Sequence, residues 1–261
     1  MYDLAALEAA LAGTGFVGKL HFSPVTGSTN TDALAAARSG APQGSVYFAD
    51  EQQAGRGRGD HAWQSAAGQG LYVSVLLRPQ IPVARLPFLP LAAGLAAVEA
   101  VGKSSGLEVD LRWPNDLMIA ERKTGGILVE SKTEGGEVAF AVAGIGINVH
   151  QRAFDPGLAT LATSLDIEAD RPISRQALLV SLLKSLEREA AGLCEPAAMA
   201  AILKRVEQAS TWIRGRRVDV HGPQACTGVT EGLDEHGFLR VRTQRGIVTV
   251  QTGGIRAAEI G

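Results

Sequence analysis

The chain has 261 residues, of which 46% are hydrophobic and 20% are charged. This composition is that of a globular protein with a sizeable core, and it excludes disordered and collagen-like chains. Lys and Arg number 25 against 27 Asp and Glu, so the net charge is -2. That balance excludes a global basic field for holding a nucleic acid or an anionic membrane.

The start of the chain predicts a short amphipathic helix over 1–12, with Leu4, Leu7 and Leu11 on one face. It contains two acidic residues and no basic one, so it lacks the n-region of a secretory signal. The next segment, 13–19, is similar to a phosphate-binding glycine loop, but such loops need a strand before them and a helix after them. Here a helix precedes and a strand-like run follows. We therefore interpret the segment as a turn that ends the helix.

The longest apolar run, 88–98, is shorter than the roughly 20 residues that span a bilayer, and it contains a proline. No membrane-spanning helix is predicted. The cysteines, Cys194 and Cys226, lack the paired spacing of zinc ligands and are expected to be free thiols buried as small hydrophobes. These features predict a cytoplasmic protein, in a compartment where thiols stay reduced.

Apolar strands and helical patterns alternate up to residue 209, and the pattern changes near Ser210 to short runs broken by glycine. The first part predicts an α+β domain over 1–209, a mixed β-sheet with packed helices. The second part predicts three or more short strands in a small β-barrel domain over 210–261, which is expected to lean on the first domain. The expected strands of the first domain lie at 46–48, 71–77, 127–129 and 138–149, and its helices at 31–38, 86–103 and, as a hairpin, 174–208.

The segment 50–63 reads Asp-Glu-Gln-Gln-Ala-Gly-Arg-Gly-Arg-Gly-Asp-His-Ala-Trp. Its glycines let the backbone approach a ligand, and Arg56 and Arg58 carry planar donors suited to phosphate or carboxylate. A solvated loop or an RNA contact is the alternative, although the single copy and the acidic neighbours argue against RNA. The five histidines lack metalloprotease spacing, and the chain has no Gly-x-Ser-x-Gly elbow.

Four shorter motifs each have a structural and a functional interpretation. Trp-Pro-Asn-Asp at 113–116 predicts a turn that carries Asn115 and Asp116, and Lys123 stands at a strand entrance. Two glycines inside the apolar strand at 144–148 imply close approach by a ligand or by backbone. Ser-Thr-Asn at 28–30 precedes a helix, where it either caps the helix or bonds a small polar ligand.

In this order, from Ser28 to Val149, the motifs closely resemble those of the biotin protein ligases. The resemblance implies a fold related to class II tRNA synthetases and lipoate ligases, followed by a small SH3-like barrel. It implies a biotin-[acetyl-CoA-carboxylase] ligase, which activates biotin as biotinyl-5′-AMP and transfers it to one lysine of a biotin carboxyl carrier protein. ATP and biotin would be substrates, with Mg²⁺. Such a reaction needs positioned cations and no covalent nucleophile.

The resemblance also assigns roles, with Asp116 the candidate Mg²⁺ ligand. The loop at 56–58 is expected to close over the adenylate and shield it from water. The implied biotin-binding residues are Ser28, Thr29, Asn30, Gln52, Arg56, Gly57, Arg58 and Lys123. The implied ATP or adenylate residues are Arg56, Arg58, Trp63, Asn115 and Asn148. The implied catalytic residues are Arg58, Lys123 and Asp116.

One departure from the family pattern is His61, where many relatives carry a third basic residue, with Asp60 beside it. Phosphate affinity is therefore expected to be weaker or pH-dependent. Only 27 residues precede Ser28, so the short form without a DNA-binding helix-turn-helix is expected. We expect a monomer or homodimer without a nucleic-acid or membrane partner.

Two alternatives stay open at this point. A lipoate-protein ligase or octanoyl transferase would use the same core, although the glycine-arginine loop with Trp-Pro-Asn-Asp favours biotin. A noncatalytic biotin sensor would retain the pocket without turnover, and the presence of Arg58, Asp116 and Lys123 argues against it.

Overall fold

The first of two β-sheets is mixed and contains seven strands within the described part of the chain. This computed structural model describes residues 2–59, 61–155, 157–158, 160–195 and 197–258. The strands are β1 (Leu20–Thr26), β2 (Val46–Gln52), β3 (Gly70–Leu77), β4 (Asp110–Arg112), β5 (Asp116–Ile119), β6 (Arg122–Glu134) and β7 (Glu137–Asn148). Their order is β1-β2-β3-β7-β6-β5-β4. Only β1 and β2 pair in parallel among these described strands, which confirms the predicted mixed sheet.

Helices pack on this sheet, as predicted. Among the described residues they are α1 (Leu4–Ala10), α2 (Thr29–Arg38), α3 (Phe88–Ser105), α4 (Leu165–Ala169), α5 (Arg175–Gly192) and α6 (Ala198–Gln208). The serine before α5, Ser174, caps that helix by accepting a hydrogen bond from the Ala177 N–H at 3.2 Å. The leucines of α5 at helical spacing are buried, so the periodicity found the core face.

Helix α3 is long and apolar enough in composition to cross a membrane. Its position gives another reason for that composition, because it packs against α5 on one side and β6 and β7 on the other. Twelve of its 18 residues are buried. The apolar composition of the helix is therefore that of a core helix, while its charged residues Glu99 and Lys103 form an ion pair at the surface.

The second sheet begins after α6 and is antiparallel throughout. Its strands are β8 (Arg214–His221), β9 (Cys226–Leu233), β10 (Leu239–Thr243), β11 (Gly246–Val250) and β12 (Gly254–Ala257). Their order is β11-β10-β9-β8-β12. Strands β9 and β12 are not predicted from the sequence, because their apolar residues are few and do not alternate regularly with polar ones.

Both sheets share one hydrophobic core. Trp212, Val218 and Val241 belong to the same buried cluster as the residues of α3 and β3. The Trp113 Nε1–H also donates to the Gly237 carbonyl at 3.1 Å, from one sheet region to the other. The second sheet therefore rests on the first through apolar contact and a buried hydrogen bond.

On the predicted apolar face of α1, Leu7 and Leu11 are fully buried, whereas Leu4, the first residue of that helix, is 44% exposed. One burial prediction is wrong. Cys194 is exposed, since it lies in the turn after α5. The interpretation of 13–19 as a turn agrees with the structure. The Lys19 ammonium, which a phosphate-binding loop would direct at its ligand, donates instead to two backbone carbonyls at 2.8 Å each.

Candidate functional site

A pocket lies over the middle of the first sheet, with its floor on β3, β6 and β7. Two predicted site residues, Asp116 and Asn148, are not in its wall. The predicted residues that line it are Ser28, Thr29, Asn30, Gln52, Arg56, Gly57, Arg58, Trp63, Asn115 and Lys123.

One end of the pocket is built from neutral hydrogen-bonding groups at the start of α2. The Thr29 N–H donates to Gln52 Oε1 at 2.9 Å, and the Thr29 hydroxyl lies 2.8 Å from the Ser74 hydroxyl. Ser28 occupies the N-cap position, yet its side chain makes no capping hydrogen bond. It is only 4% exposed and lines the pocket. Of the two interpretations of Ser28, the geometry favours a ligand-facing hydroxyl.

Asn30 belongs to the pocket floor. Its Nδ2 donates to Glu130 Oε2 at 2.9 Å and to the Leu128 carbonyl at 3.3 Å, while the Ser74 hydroxyl donates to its Oδ1 at 2.6 Å. The side chain lies directly over Gly144, where a Cβ would collide with it. The close approach predicted for that glycine is thus made by a side chain of the protein itself.

Glu130 is a pocket-edge residue that sequence analysis missed. Its carboxylate accepts two hydrogen bonds from the Arg56 guanidinium, at 2.7 and 3.1 Å. The Arg56 side chain is 42% exposed and the Glu130 side chain is 27% exposed. Solvent therefore screens this ion pair, and the pair adds little stability. An arginine held in this way can exchange its partner for a substrate anion. The sequence feature that could have identified Glu130 is its position directly after the apolar run 127–129.

The glycine-arginine loop folds back on itself as a narrow hairpin beyond β2. The Trp63 N–H donates to the Gly55 carbonyl at 2.9 Å, and the Gly57 N–H donates to the His61 carbonyl at 2.7 Å. Gly59, near the tip, adopts φ +68°, a conformation that glycine takes without strain. The predicted effect of Asp60 lies outside the described residues.

Arg58 connects this loop to the second sheet. Its guanidinium donates to the Gly253 carbonyl, just before β12, while the residue also lines the pocket. Burial lowers the pKa of the Arg58 guanidinium, and the charge of Asp116 partly raises it again. A partly desolvated arginine at this point is a strong donor for a phosphate or carboxylate.

The Trp63 ring lies against glycine backbone on the pocket floor. A Cβ at Gly146 would stand 2.7 Å from the ring, and one at Gly126 would stand 3.4 Å from it. The Trp63 Nε1–H is buried without a hydrogen-bond partner in the described structure, and the Lys123 ammonium lies 5.5 Å from the ring centroid. A buried donor without a partner in a pocket wall indicates a place for a ligand acceptor or for a movement of the ring.

The catalytic lysine candidate is held by a carboxylate. The Lys123 Nζ lies 2.6 Å from Asp116 Oδ1, and the Arg112 Nη2 lies 2.6 Å from Asp116 Oδ2. Burial raises the pKa of the Asp116 carboxyl, but the charges of Lys123 and Arg112 outweigh it and hold this pKa below its ordinary value. Asp116 is the first residue of β5, so the prediction that it lies on the turn is wrong. The turn ends at Asn115 because the hairpin pairs Asp116 with Arg112.

The two remaining asparagines differ in their surroundings. Asn115 donates through Nδ2 to the Ile127 carbonyl at 2.9 Å and lines the pocket. Asn148 donates to the Thr163 carbonyl at 3.0 Å and accepts from Gln151 Nε2 at 3.2 Å. These contacts direct the Asn148 amide away from the pocket wall, so its contact with adenine stays a prediction.

A resident Mg²⁺ ion does not fit the donor set of this site. Both oxygens of Asp116 already contact cations. Across the described ranges, no group of three or more His, Cys, Asp or Glu side chains is placed to hold a metal ion. The predicted metal role of Asp116 therefore gains no support from the geometry.

The pocket thus has two chemically different ends. Hydroxyl and amide groups of Ser28, Thr29 and Gln52 form one end, and the cations Arg58 and Lys123 form the other. Such a pocket is suited to an acidic ligand with a neutral polar head, and it has further cationic groups for a phosphate. Its lining residues include no cysteine, and no histidine that could activate the hydroxyls of Ser28, Thr29 and Ser74 as nucleophiles, which is consistent with direct transfer between bound substrates.

Known proteins resemble this chain over most of its length. Residues 22–148 match the Biotin/lipoate A/B protein ligase family, the class of protein that the fold and the pocket define. The chain is 33% identical to a biotin--[acetyl-CoA-carboxylase] ligase of Mycobacterium tuberculosis, over 94% of this chain and 90% of that protein. It is also 33% identical to the bifunctional ligase/repressor BirA of Bacillus subtilis, over 90% of this chain and 73% of that protein.

A solved structure has the same fold. The biotin protein ligase from Aquifex aeolicus, in complex with biotin and ATP, superposes with a TM-score of 0.77 and 29% identity. The match covers 92% of this chain and 98% of that one. The chain therefore belongs to the biotin protein ligase family, which confirms the predicted resemblance.

Proposed function

We propose that this protein activates biotin with ATP as biotinyl-5′-AMP and transfers the biotinyl group to one lysine of a biotin carboxyl carrier protein. The observation that carries the proposal is the two-ended pocket. A ureido ring fits the neutral end at Ser28, Thr29 and Gln52, while a carboxylate or phosphate fits the end at Arg58 and Lys123. A neutral head group that lacked matching donors and acceptors would leave buried polar groups unpaired.

In the first step, a biotin carboxylate oxygen forms a bond to the α-phosphorus of ATP, and the bond to the β-phosphate breaks to release pyrophosphate. The task of the protein is to hold two anions together and to offset the charge that develops. Lys123 and Arg58 are the groups placed for that task. In the second step, the carrier amine attacks the acyl carbon, AMP leaves, and the amine loses a proton.

Several finer assignments belong to the same proposal. The adenine is placed against Trp63, and the loop that carries Arg58 is proposed to close over the adenylate and exclude water. We retain 1–209 as the catalytic domain and 210–261 as the small SH3-like domain. The proposed partner is a carboxylase carrier protein, and the proposed location is the cytoplasm.

The test measures pyrophosphate release and the mass of the acceptor in parallel. The full-length protein is incubated with ATP, Mg²⁺ and either biotin or lipoate, together with a biotin carrier domain or a lipoyl domain. We expect ATP-dependent biotinylation of the carrier lysine and none of the lipoyl domain. Lipoylation would assign the chain to the sister enzymes, and biotin binding without pyrophosphate release would leave a sensor.

A matched pair of lysine variants links the activity to the pocket. Lys123→Gln removes the ammonium that lies between Asp116 and Trp63, and we expect it to abolish most adenylate formation. Lys132→Gln changes an ammonium that is 58% exposed near the far end of the same strand, β6, and we expect no loss. Equal activity of the two variants would contradict the assigned role of Lys123.

A further inference from the structure

A line of charged side chains leads from the pocket toward the second sheet. Lys123 faces the pocket, Asp116 lies behind it, and Arg112 lies behind Asp116. Their side chains are 28%, 16% and 7% exposed in that order. The Arg112 guanidinium donates two hydrogen bonds to one carboxylate oxygen of Asp116, Oδ2, from Nη2 at 2.6 Å and from Nε at 3.1 Å. The other oxygen, Oδ1, is left for Lys123.

Arg112 is in turn held by the start of the second domain. Its guanidinium carbon lies 5.4 Å from the centroid of the Trp212 ring, and that of Arg216 lies 3.8 Å from the same ring. Trp212 is 2% exposed. A guanidinium within about 6 Å of an indole ring is attracted to it, which restrains the position of the side chain. Arg216 forms its own ion pair with Glu121.

The backbone around Arg112 is joined to the same region. The Leu111 N–H donates to the Ala209 carbonyl at 2.8 Å, and the Thr211 N–H donates to Asp110 Oδ1 at 2.8 Å. Strand β4 is therefore hydrogen-bonded to the segment that leads into β8. The position of Arg112 is set from both its backbone and its side chain by residues outside the pocket.

We propose that Arg112 is a positioning residue, which orients the Asp116 carboxylate so that Lys123 points into the pocket, and that Trp212 fixes Arg112 in that role. Without Arg112 the carboxylate is free to turn both oxygens toward Lys123 and draw the ammonium away from the substrate. A displacement of about 1 Å at a reacting group can cost on the order of 10²-fold in rate. The inference rests on the proposed adenylate chemistry.

The experiment compares Arg112→Met with Arg216→Met in the full-length protein. Both variants remove a guanidinium from the Trp212 ring, but only Arg112 contacts Asp116. We expect Arg112→Met to lower kcat for adenylate formation by about 10- to 100-fold. We expect little change in KM for biotin, because the neutral end of the pocket is untouched. Arg216→Met is expected to retain a kcat near that of the unmodified protein, because Arg216 pairs with Glu121 and does not line the pocket.

A second readout does not depend on turnover. In protein labelled with ¹³C at aspartate carboxyl carbons, NMR titration follows Asp116 directly. We expect Arg112→Met, but not Arg216→Met, to raise the pH at which Asp116 titrates, because the carboxylate loses one of two cations. If Arg112→Met does not fold, Arg112→Lys keeps the buried charge with a single donor and is compared with Arg216→Lys in the same way.

The outcomes separate this inference from the proposed function. Equal kcat in the two variants, or an unchanged Asp116 titration in the Arg112 variant, would overturn the positioning role. Absence of biotinyl-AMP formation by the unmodified protein would overturn the proposed function. The NMR titration would still decide whether Arg112 governs Asp116.

Discussion

The contact between Trp63 and Gly146 gives a direct test of the nucleotide end of the pocket. In Gly146→Ala the added Cβ would stand 2.7 Å from the ring, whereas ordinary contact begins at 3.4 Å, so the ring must move by about 0.7 Å. Gly146 does not adopt a positive φ, so the effect is steric and leaves the backbone unstrained. Overpacking of this kind costs about 1–3 kcal/mol, or about 5- to 150-fold in an equilibrium constant.

The assay is pyrophosphate release with ATP and biotin varied separately. We expect Gly146→Ala to raise KM for ATP by a factor in that range and to leave KM for biotin nearly unchanged. Gly144→Ala is the matched variant, two residues away on the same strand and under Asn30, and we expect it to raise KM for biotin. If Gly146→Ala leaves KM for ATP unchanged, the position of Trp63 does not govern nucleotide binding and the reasoning is refuted.

Three further predictions concern charge in and around the pocket. Glu130→Gln breaks the bidentate pair with Arg56, so we expect less than about 1 kcal/mol loss of stability but faster release of biotinyl-AMP, which chromatography of the free intermediate measures. Arg58→Ala removes the contact of the loop with Gly253, and we also expect the intermediate to escape; retention equal to that of the unmodified protein would contradict this role. Burial raises the pKa of Asp116, but two neighbouring cations lower it below its ordinary value of 3.8. The stability that the carboxylate adds is therefore complete above that value and is lost as the pH falls through the lowered native value. Denaturant unfolding of Asp116→Asn and the unmodified protein should thus show a constant difference down to about pH 4 and a smaller one below; a difference that shrinks between about pH 7 and 5 would contradict the ion pairs.

The cationic end of the pocket is balanced by acidic side chains. Arg56 is paired with Glu130 and Lys123 with Asp116, whereas Arg58 bonds a backbone carbonyl. Asp116 also pairs with Arg112, so four cations against two carboxylates leave two net positive charges before an anion binds. This arrangement keeps each long side chain ordered near the place where an anion would bind, which lowers the entropy cost of binding.

Most elements of the first sheet could be predicted because their signals are local. Strand β3 is a run of apolar residues interrupted only by Ser74, and α5 shows leucines at helical spacing, so both have a strong local signal. Strands β9 and β12 lack such a signal. Strand β9 pairs with a neighbour on both sides, and β12 pairs with a neighbour on one side. A segment with a weak hydrophobic pattern becomes a strand when an adjacent strand supplies hydrogen-bond partners for its backbone N–H and C=O groups.

The chemistry of the site was also predicted in part. Motifs with unusual composition, the glycine-arginine loop above all, identified most of the pocket wall. Their partners were not identified, because Glu130 lies 74 positions from Arg56 and Gly253 lies 195 positions from Arg58. No short-range pattern connects residues so far apart.

The sequence by itself determined the fold class, the family and the residue types that can bind an anion, because these depend on local periodicity and on compact motifs. The tertiary structure decided which groups face a ligand and which hold their neighbours in place. The Asn30 side chain is hydrogen-bonded within the pocket floor. The Ser28 side chain makes no capping hydrogen bond to α2, and the Asp116 carboxylate lies between two cations. Such assignments depend on sheet register and on the packing of the two sheets, which bring distant side chains to within hydrogen-bond distance.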